Sequence, residues 1–346
     1  MRQLTYVGPK RLEWWDAPAP RLESDRDVLV APLAVTRCDL DLVIVHGASG
    51  MAGPFAIGHE CAGRVVEVGD AVRGFAPGDL VIVPFQISCG DCDRCRRGHT
   101  NACTSVPFRS SYGMMPLSGV EHGGALSDLI RVPFADHMLV GQPPGHALSQ
   151  TAALADGATD GFVAVAAWMQ ERPGCDVLVI GGAGQSVGLL AGHAAQGLGA
   201  RSVVYLDDNP ARLAVADSLG LRPHPAPAGL VMDPIGLFAV VIDAAATDAS
   251  LALALRSVDH NGVCQRMYGD FSETTPVALR HMYTVGITLK VSRVNARAEM
   301  PECLAHVTTG RYHPERVLTR RASFEDAPEA MLDPTIKVLF VRDGVD

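Results

Sequence analysis

The stretch VLVIGGAGQSVGLLAGHAAQGLG, residues 177–199, decides the fold of this chain. Its first four residues are apolar, as in a buried strand, and a glycine-rich turn and a helix through Leu198 follow. Strand and helix patterns continue after it: SVVYL (202–206), PARLAVADSLG (210–220), FAVVIDAA (238–245), GVCQRMY (262–268) and ITLKVS (287–292). These patterns predict an α/β domain with a doubly wound parallel sheet over about residues 152–292.

The glycine-rich turn is typical of a dinucleotide site. Gly182 and Gly184 occupy the first two positions of the fingerprint, and Gly188 follows one residue later than G-x-G-x-x-G requires. Small residues here let the backbone approach a pyrophosphate at the N-terminus of the helix. An α/β domain that binds no nucleotide is the alternative.

The end of the second predicted strand bears on the choice of nucleotide. It falls at Asp207, 23 residues beyond Gly184. A carboxylate there can accept a hydrogen bond from a ribose 2′-hydroxyl, and it repels a 2′-phosphate. Asp208 adds a second negative charge, whereas Arg212 is positive and is expected to pack near the adenine. The pattern favours NAD over NADP.

Residues 1–150 have a different character, with many Gly and Pro residues and short β-like runs such as DVLVAPLAV (27–35) and DLVIVPF (79–85). They predict an irregular β domain, and 346 residues suit two domains. The net charge of −9 argues against a nucleic-acid-binding surface. We expect no membrane helix, because the glycine turn and His193 interrupt the one long uncharged stretch. With no signal-peptide pattern at the start and nine cysteines, we expect a cytoplasmic protein that uses thiols and metals rather than disulfides.

The motif CGDCDRCRRGHTNAC, residues 89–103, carries four cysteines at C-x2-C-x2-C-x7-C spacing: Cys89, Cys92, Cys95 and Cys103. Zinc takes four thiolates at tetrahedral corners, and a closed four-thiolate site is structural rather than catalytic. The first three cysteines also fit the start of a ferredoxin-type run. However, the last gap is too long for that pattern and no proline follows. Four unrelated thiols are the remaining alternative.

Taken together, Cys38, GHE (58–60), the four-cysteine motif, ALADGATDG (153–161) and the glycine turn resemble the zinc-dependent medium-chain alcohol dehydrogenases over essentially the whole chain. The resemblance implies a GroES-like catalytic domain from residues 1–151 and 293–346, and a Rossmann domain from residues 152–292. It implies one catalytic and one structural zinc, a small alcohol or carbonyl substrate, and a homodimer or homotetramer built through the Rossmann sheet edge.

The resemblance also implies the site residues. Cys38, His59 and Asp156 match the catalytic zinc ligands, and Glu60 matches an acid that can become a transient ligand. Phe85 matches a pocket position, Thr159 and Val187 match the nicotinamide side, and Lys337 matches a pyrophosphate contact. Taken singly, Cys38 would be a buried hydrophobic residue, His59 a structural hydrogen-bonder and Asp156 a helix cap. A thiolate, an imidazole and a carboxylate together make a three-ligand zinc site with one open position, which suits Lewis-acid catalysis.

Leu40 departs from the family pattern. That pocket position usually carries Ser or Thr, which passes the alcohol proton outward, and Val43 stands where many members have a relay His. The proton could leave through ordered water or His46, through Glu60, or through the substrate itself. An apolar pocket suits a hydrophobic alcohol or ketone. The missing relay also keeps open a reductase of a conjugated enal or imine, and a redox-inactive NAD-binding scaffold is the alternative from another class.

Overall fold

A computed structural model describes residues 1–116, 119–267 and 274–345. The part of the chain before residue 152 contains short strands, with three α-helices of seven residues or fewer and two 3-10 helices among the described residues. The bounds are β1 Arg2–Gly8, β2 Arg11–Asp16, β3 Val28–Thr36, α1 Asp39–Val45, β4 Phe55–Ala56, β5 Glu60–Val68, β6 Leu80–Val83, α2 Asp93–Arg96, β7 Ile130–Val132, α3 Ala135–Met138 and β8 Val140–Gly141.

The middle of the chain alternates strands and helices. The bounds are α4 Gly157–Glu171, β9 Asp176–Ile180, α5 Gln185–Gly197, β10 Ser202–Asp207, α6 Pro210–Ser218, β11 Arg222–Pro225, β12 Phe238–Asp243, α7 Asp248–Arg256, β13 Val258–Arg266, α8 Leu279–Val285 and β14 Thr288–Val291. Its six strands pair in parallel in the order β11-β10-β9-β12-β13-β14, so the predicted α/β fold class is confirmed.

Two differences from the predicted strands have local causes. The prediction missed β11, because two of its four residues are proline and it lacks an apolar run; as an edge strand it tolerates them. β13 begins at Val258, earlier than predicted, through the polar residues before Gly262. Tyr268, the last residue of that predicted strand, lies outside the described residues.

The last part of the chain contains α9 Ala296–Thr308, β15 Arg320–Ser323, α10 Ala327–Ala330 and β16 Val338–Val341. β16 pairs antiparallel with β3, so the two ends of the sequence share one sheet, in the order β15-β16-β3-β5-β6-β8 with β7 also on β3. A smaller sheet has the order β2-β1-β4. This joining of the chain ends is the arrangement expected of the GroES-like domain.

The chain divides into two compact units. The first contains Met1–Thr159, Val294–Thr308 and Leu318–Asp346, and the second contains Asp160–Arg293 and Thr309–Val317. The predicted boundaries do not separate Thr309–Val317 from the C-terminal segment. This segment belongs to the second unit because the rings of Tyr312 and His313 lie 5.7 and 6.1 Å from the ring of His193 on α5.

Candidate active site and metal centres

Three donor groups converge in the first unit. Cys38 precedes α1, His59 precedes β5, and Asp156 ends the 3-10 turn Ala152–Ala155. Asp156 Oδ2 lies 3.3 Å from Cys38 Sγ and 3.2 Å from His59 Nε2. One donor atom from each residue lies within 4.8 Å of the other two. A thiol, an imidazole and a carboxylate, brought together from distant parts of the chain, form a donor set that zinc accepts.

The charges around these donors favour a cation. Burial raises the pKa of the Cys38 thiol well above its usual range, and Asp156 raises it further. Burial opposes the charge of His59, but Asp41 and Asp156 outweigh it and raise the pKa of His59 well above its usual range. The environment therefore holds a proton on both groups, and a bound divalent ion would replace those protons.

Asp41 orients both of the first two donors. Its Oδ2 accepts from the backbone N–H of Cys38 at 2.9 Å, and its Oδ1 lies 3.3 Å from His59 Nδ1. The second approach is within ion-pair distance but is not aligned as a hydrogen bond, and among the described residues neither of its two atoms has another hydrogen-bond partner. With Nδ1 facing Asp41, the Nε2 atom of His59 faces Asp156.

Glu60 is outside the group of three donors, and its carboxylate has other partners. Its carboxylate accepts from Lys337 Nζ at 2.8 Å, from the backbone N–H of Gly157 at 2.8 Å and from the Thr36 hydroxyl. A Cβ on Gly157 would lie 2.7 Å from Glu60 Oε1, so a larger residue here would shift that carboxylate. Lys337 is fully buried and also donates to the Arg37 carbonyl at 3.1 Å. A pyrophosphate contact of Lys337 stays a prediction, and the sequence did not indicate its pairing with Glu60.

Apolar side chains adjoin the donors. The Phe85 ring centroid lies 5.4 Å from that of His59, and Phe85 packs with Val294, Ala296 and Met114. Leu40 is half-buried and packs against the main core of the first unit. His46, a predicted alternative proton carrier, is exposed, and its Nδ1 lies 2.9 Å from the Leu42 carbonyl.

The sequence also gave no sign of the role of Arg37, the residue before Cys38. Its buried guanidinium donates to the carbonyls of Ala330, Met331, Asp333 and Thr335. These hydrogen bonds connect the residue before Cys38 to residues 330–335, which lie just before Lys337 in the sequence. Only tertiary structure brings these groups together, because nearly 300 residues separate them along the chain.

The four cysteines of the 89–103 motif also converge. Cys89, Cys92, Cys95 and Cys103 place their Sγ atoms within 4.8 Å of one another, separate from the Cys38 group. The backbone N–H groups of Asp91 and Cys92 donate to Cys89 Sγ, both at 3.3 Å. Backbone N–H groups, first of all that of Thr104, lower the pKa of Cys92 to about 5. Such N–H donors stabilise a thiolate. Burial instead raises the pKa of Cys95 to about 12 and that of Cys103 above its usual range, so a bound zinc ion would replace the protons of these two thiols.

The glycine turn in the second unit has little space for side chains. A Cβ on Gly182 would lie 2.7 Å from the Ala245 Cβ, and one on Gly184 would lie 2.6 Å from the Ala244 carbonyl oxygen. Gly188 is less tight, with its closest atom at 3.1 Å. The turn therefore packs closely against the residues that follow β12, and a contact of its backbone with a pyrophosphate stays a prediction.

The other predicted nucleotide residues are mostly buried. Val187 is on α5, and the Thr159 hydroxyl, in the first unit, donates to the Leu154 carbonyl at 2.7 Å. Asp207 is fully buried and forms a bidentate pair with Arg212, while Asp208 is exposed. The contacts of Asp207 and Asp208 with a nucleotide stay predictions.

Comparison with known proteins decides the family. A family model described as the alcohol dehydrogenase GroES-like domain matches residues 24–142. A probable zinc-binding alcohol dehydrogenase of Mycobacterium tuberculosis is 32% identical over 331 residues, covering 94% of this chain and 83% of that protein. The structure of alcohol dehydrogenase TADH from Thermus sp. ATN1 is 31% identical, with a TM-score of 0.89, and the match covers 99% of this chain and 100% of that one. This chain belongs to the zinc-dependent alcohol dehydrogenase family.

Membership in the alcohol dehydrogenase family confirms the predicted resemblance, the enzyme class and the use of zinc with a nicotinamide cofactor. A glutathione-independent formaldehyde dehydrogenase of Pseudomonas aeruginosa is 35% identical over 235 residues, covering 64% of this chain and 57% of that protein. Within the ranges that the structure describes, no helix of this dehydrogenase is both long and apolar enough to cross a membrane.

Proposed function

We propose that this enzyme transfers hydride between NAD and a hydrophobic alcohol or carbonyl substrate, with zinc held by Cys38, His59 and Asp156. The observation that carries the proposal is the convergence of these three donors, within 4.8 Å, beside the apolar Phe85 ring. Three ligands leave a tetrahedral ion one open position for substrate. When bound, zinc supplies a Lewis acid for the substrate oxygen and the nicotinamide ring supplies or accepts hydride.

The residues of the chain hold and surround that chemistry. Asp41 fixes the ring of His59, and Lys337 keeps the carboxylate of Glu60 beside the donors without making it one of the three. Phe85, Val294 and Met114 form an apolar wall that excludes water and favours apolar substrates. Glu60, whose carboxylate is paired with Lys337, is the acid that we propose as a transient ligand.

Leu40 favours one alternative activity. With neither a hydroxyl at position 40 nor a His at position 43, the usual outward proton path is missing. A reductase of a conjugated enal or imine has no alcohol proton to release along that path, and this makes it the second candidate. A redox-inactive scaffold is disfavoured, because three convergent donors have no use in it.

We propose further that the four-cysteine motif holds a structural zinc and that the enzyme is a homodimer or homotetramer. Strand β14 is an edge of the six-stranded sheet, and next to it in sequence Tyr283 on α8 is 90% exposed. An uncovered edge strand pairs readily with a second copy. Nine free cysteines fit a reducing compartment, which supports the cytoplasm.

The test combines metal analysis with a substrate panel. We expect about two zinc ions per chain, and a change in NADH absorbance with apolar alcohols or ketones. Turnover of enals or imines alone would instead favour the second candidate. A Cys38→Ser variant should lose turnover and about one zinc, while Cys175→Ser, a half-buried cysteine outside both clusters, serves as the matched control. Full turnover by the Cys38→Ser variant would refute the proposal.

A further inference from the structure

The four-cysteine motif contacts the residues that lead into α9, which are called here the 294–297 segment. Asn101, within the motif, donates its backbone N–H to Asn295 Oδ1 at 3.2 Å. The Asn101 side-chain Nδ2 donates to the Val294 carbonyl at 3.3 Å. These two hydrogen bonds attach two consecutive residues of the segment to one point of the motif.

The first part of the motif reaches the same segment through His137 on α3. Arg297 Nε donates to the His137 carbonyl, and His137 Nε2 lies 2.9 Å from the hydroxyl oxygen of Ser88, the residue before Cys89. A Cβ on Gly90 would lie 2.6 Å from the His137 ring, so that ring packs directly on the backbone beside Cys89. The start of α9 is therefore attached to both ends of the motif.

The attached segment is also the apolar wall beside the candidate zinc ligands. Val294 and Ala296 are buried and pack with Phe85, whose ring centroid lies 5.4 Å from that of His59. The Ala296 N–H donates to Gln86 Oε1 at 3.3 Å, so the segment is also held by the residue that follows Phe85. The four-cysteine loop and the proposed substrate pocket therefore share one short stretch of chain.

We propose that the zinc-bound motif positions the 294–297 segment, and that Asn101 and Asn295 thereby determine how closely the pocket between Val294 and Phe85 fits apolar substrates. Both asparagines are positioning residues, because they act through the place of Val294 and not on the reacting atoms. The inference rests on the proposed alcohol dehydrogenase function, and it deepens that proposal by naming what sets the preference for apolar alcohols.

The physical reason is that the loop has little else to fix its shape. Residues 89–103 include one apolar residue besides the cysteines, Ala102, and the loop's helical pieces of four and three residues are too short to be stable alone. Four ligands on one ion fix the loop instead. In an apolar pocket, one methylene group is worth about 10-fold or more in kcat/KM. A wall that moves away from Phe85 therefore penalises long apolar substrates more than short ones.

The first experiment needs no substrate. Hydrogen–deuterium exchange of the full chain, read by mass spectrometry, compares residues 294–300 with residues 302–308, the later part of α9. We expect Asn101→Ala to keep about two zinc ions per chain and to accelerate exchange at 294–300 about fivefold, with little change at 302–308. Cys92→Ser, which removes the structural zinc, should accelerate it about 10-fold or more. His99→Ala, at an exposed residue of the same motif, is the control and should change neither peptide.

The second experiment measures selectivity in the zinc-loaded enzyme with NAD. We expect Asn101→Ala and Asn295→Ala to lower the ratio of kcat/KM for hexanol to that for ethanol about 10-fold. The change should come chiefly from a higher KM for hexanol rather than from a lower kcat. A Val294→Ala background should remove most of this effect, because the wall side chain is then already shortened.

Two results would overturn the inference. If Cys92→Ser loses its zinc while exchange at 294–300 keeps the wild-type rate, the motif does not position the segment. If Asn101→Ala lowers stability in urea but leaves the hexanol-to-ethanol ratio within about twofold of wild type, the contact only stabilises the fold. Should Cys92→Ser not fold, Asn101→Ala and Asn295→Ala, which keep all four cysteines, decide alone. If the wild-type enzyme oxidises neither alcohol, the proposed function fails, and the exchange experiment still decides whether the motif positions the segment.

Discussion

Replacing Lys337 with methionine should destabilise the first unit by about 3 kcal/mol. Lys337 and Glu60 are both fully buried, and their charged atoms lie 2.8 Å apart. Breaking such a pair costs about 3–5 kcal/mol because one charge is left buried without its partner. The Glu60 carboxylate would keep the Gly157 N–H and the Thr36 hydroxyl, so we expect the lower end of that range.

A double-mutant cycle separates the pair from the packing. Glu60→Gln alone removes the charged partner of the buried Lys337 ammonium, which keeps its hydrogen bond to the Arg37 carbonyl at 3.1 Å. This change should therefore also destabilise the first unit. With Lys337→Met and Glu60→Gln together neither charge of the pair remains, and we expect to recover about 2 kcal/mol relative to the sum of the single changes.

Urea unfolding of the zinc-loaded enzyme measures these changes. A Trp168→Phe background leaves Trp14 and Trp15, so the emission reports the first unit and avoids treating two units as one transition. Lys10→Met, at an exposed lysine of the same unit, is the control and should change stability by less than about 0.5 kcal/mol. A loss below about 1 kcal/mol for Lys337→Met, or additive single effects, would refute a buried ion pair.

Three further predictions concern zinc, the pocket and pH. Cys92→Ser should lower the zinc content from about two ions per chain to about one, measured by elemental analysis, and loss of both ions would contradict two independent sites. Leu40→Ser should keep or raise alcohol oxidation near neutral pH; inactivity at unchanged zinc content would show that the leucine itself is required. Burial lowers the pKa of His193 from 6.5 to about 4, so the unfolded chain binds the proton first as the pH falls and the second unit loses stability between those values. The loss at pH 4.5 should be about 2 kcal/mol and smaller in His193→Gln, measured by Trp168 emission in a background with Trp14→Phe and Trp15→Phe; equal pH dependence would exclude His193 as its source.

Local patterns in the sequence predicted much of this molecule. Apolar runs such as 177–180 are visible in any short window, and they gave the central strands of the sheet. The four-cysteine motif has its chemistry in fifteen consecutive residues. The pairing of Glu60 with Lys337 could not be found in this way, because 277 residues separate the two and neither has a local partner that signals it. Strand β11 was missed because its own composition does not indicate a strand. It is a strand because it pairs with its neighbour β10.

Acidic residues show most clearly what a sequence leaves open. Asp41, Glu60 and Asp156 all lie near Cys38 and His59. What distinguishes the three carboxylates is the set of groups that donate hydrogen bonds to each of them. Asp41 accepts from a backbone N–H, and Glu60 accepts from an ammonium, a backbone N–H and a hydroxyl.

Asp156 differs, because in the described part of the chain its side-chain hydrogen bonds go only to Cys38 and His59, the other two candidate ligands. A carboxylate whose partners are themselves candidate ligand atoms can bind a cation together with them. A carboxylate that still has unused hydrogen-bond acceptor positions should therefore be tested as a ligand. A carboxylate whose acceptor positions are all occupied by protein donors should be tested for how it positions those donors.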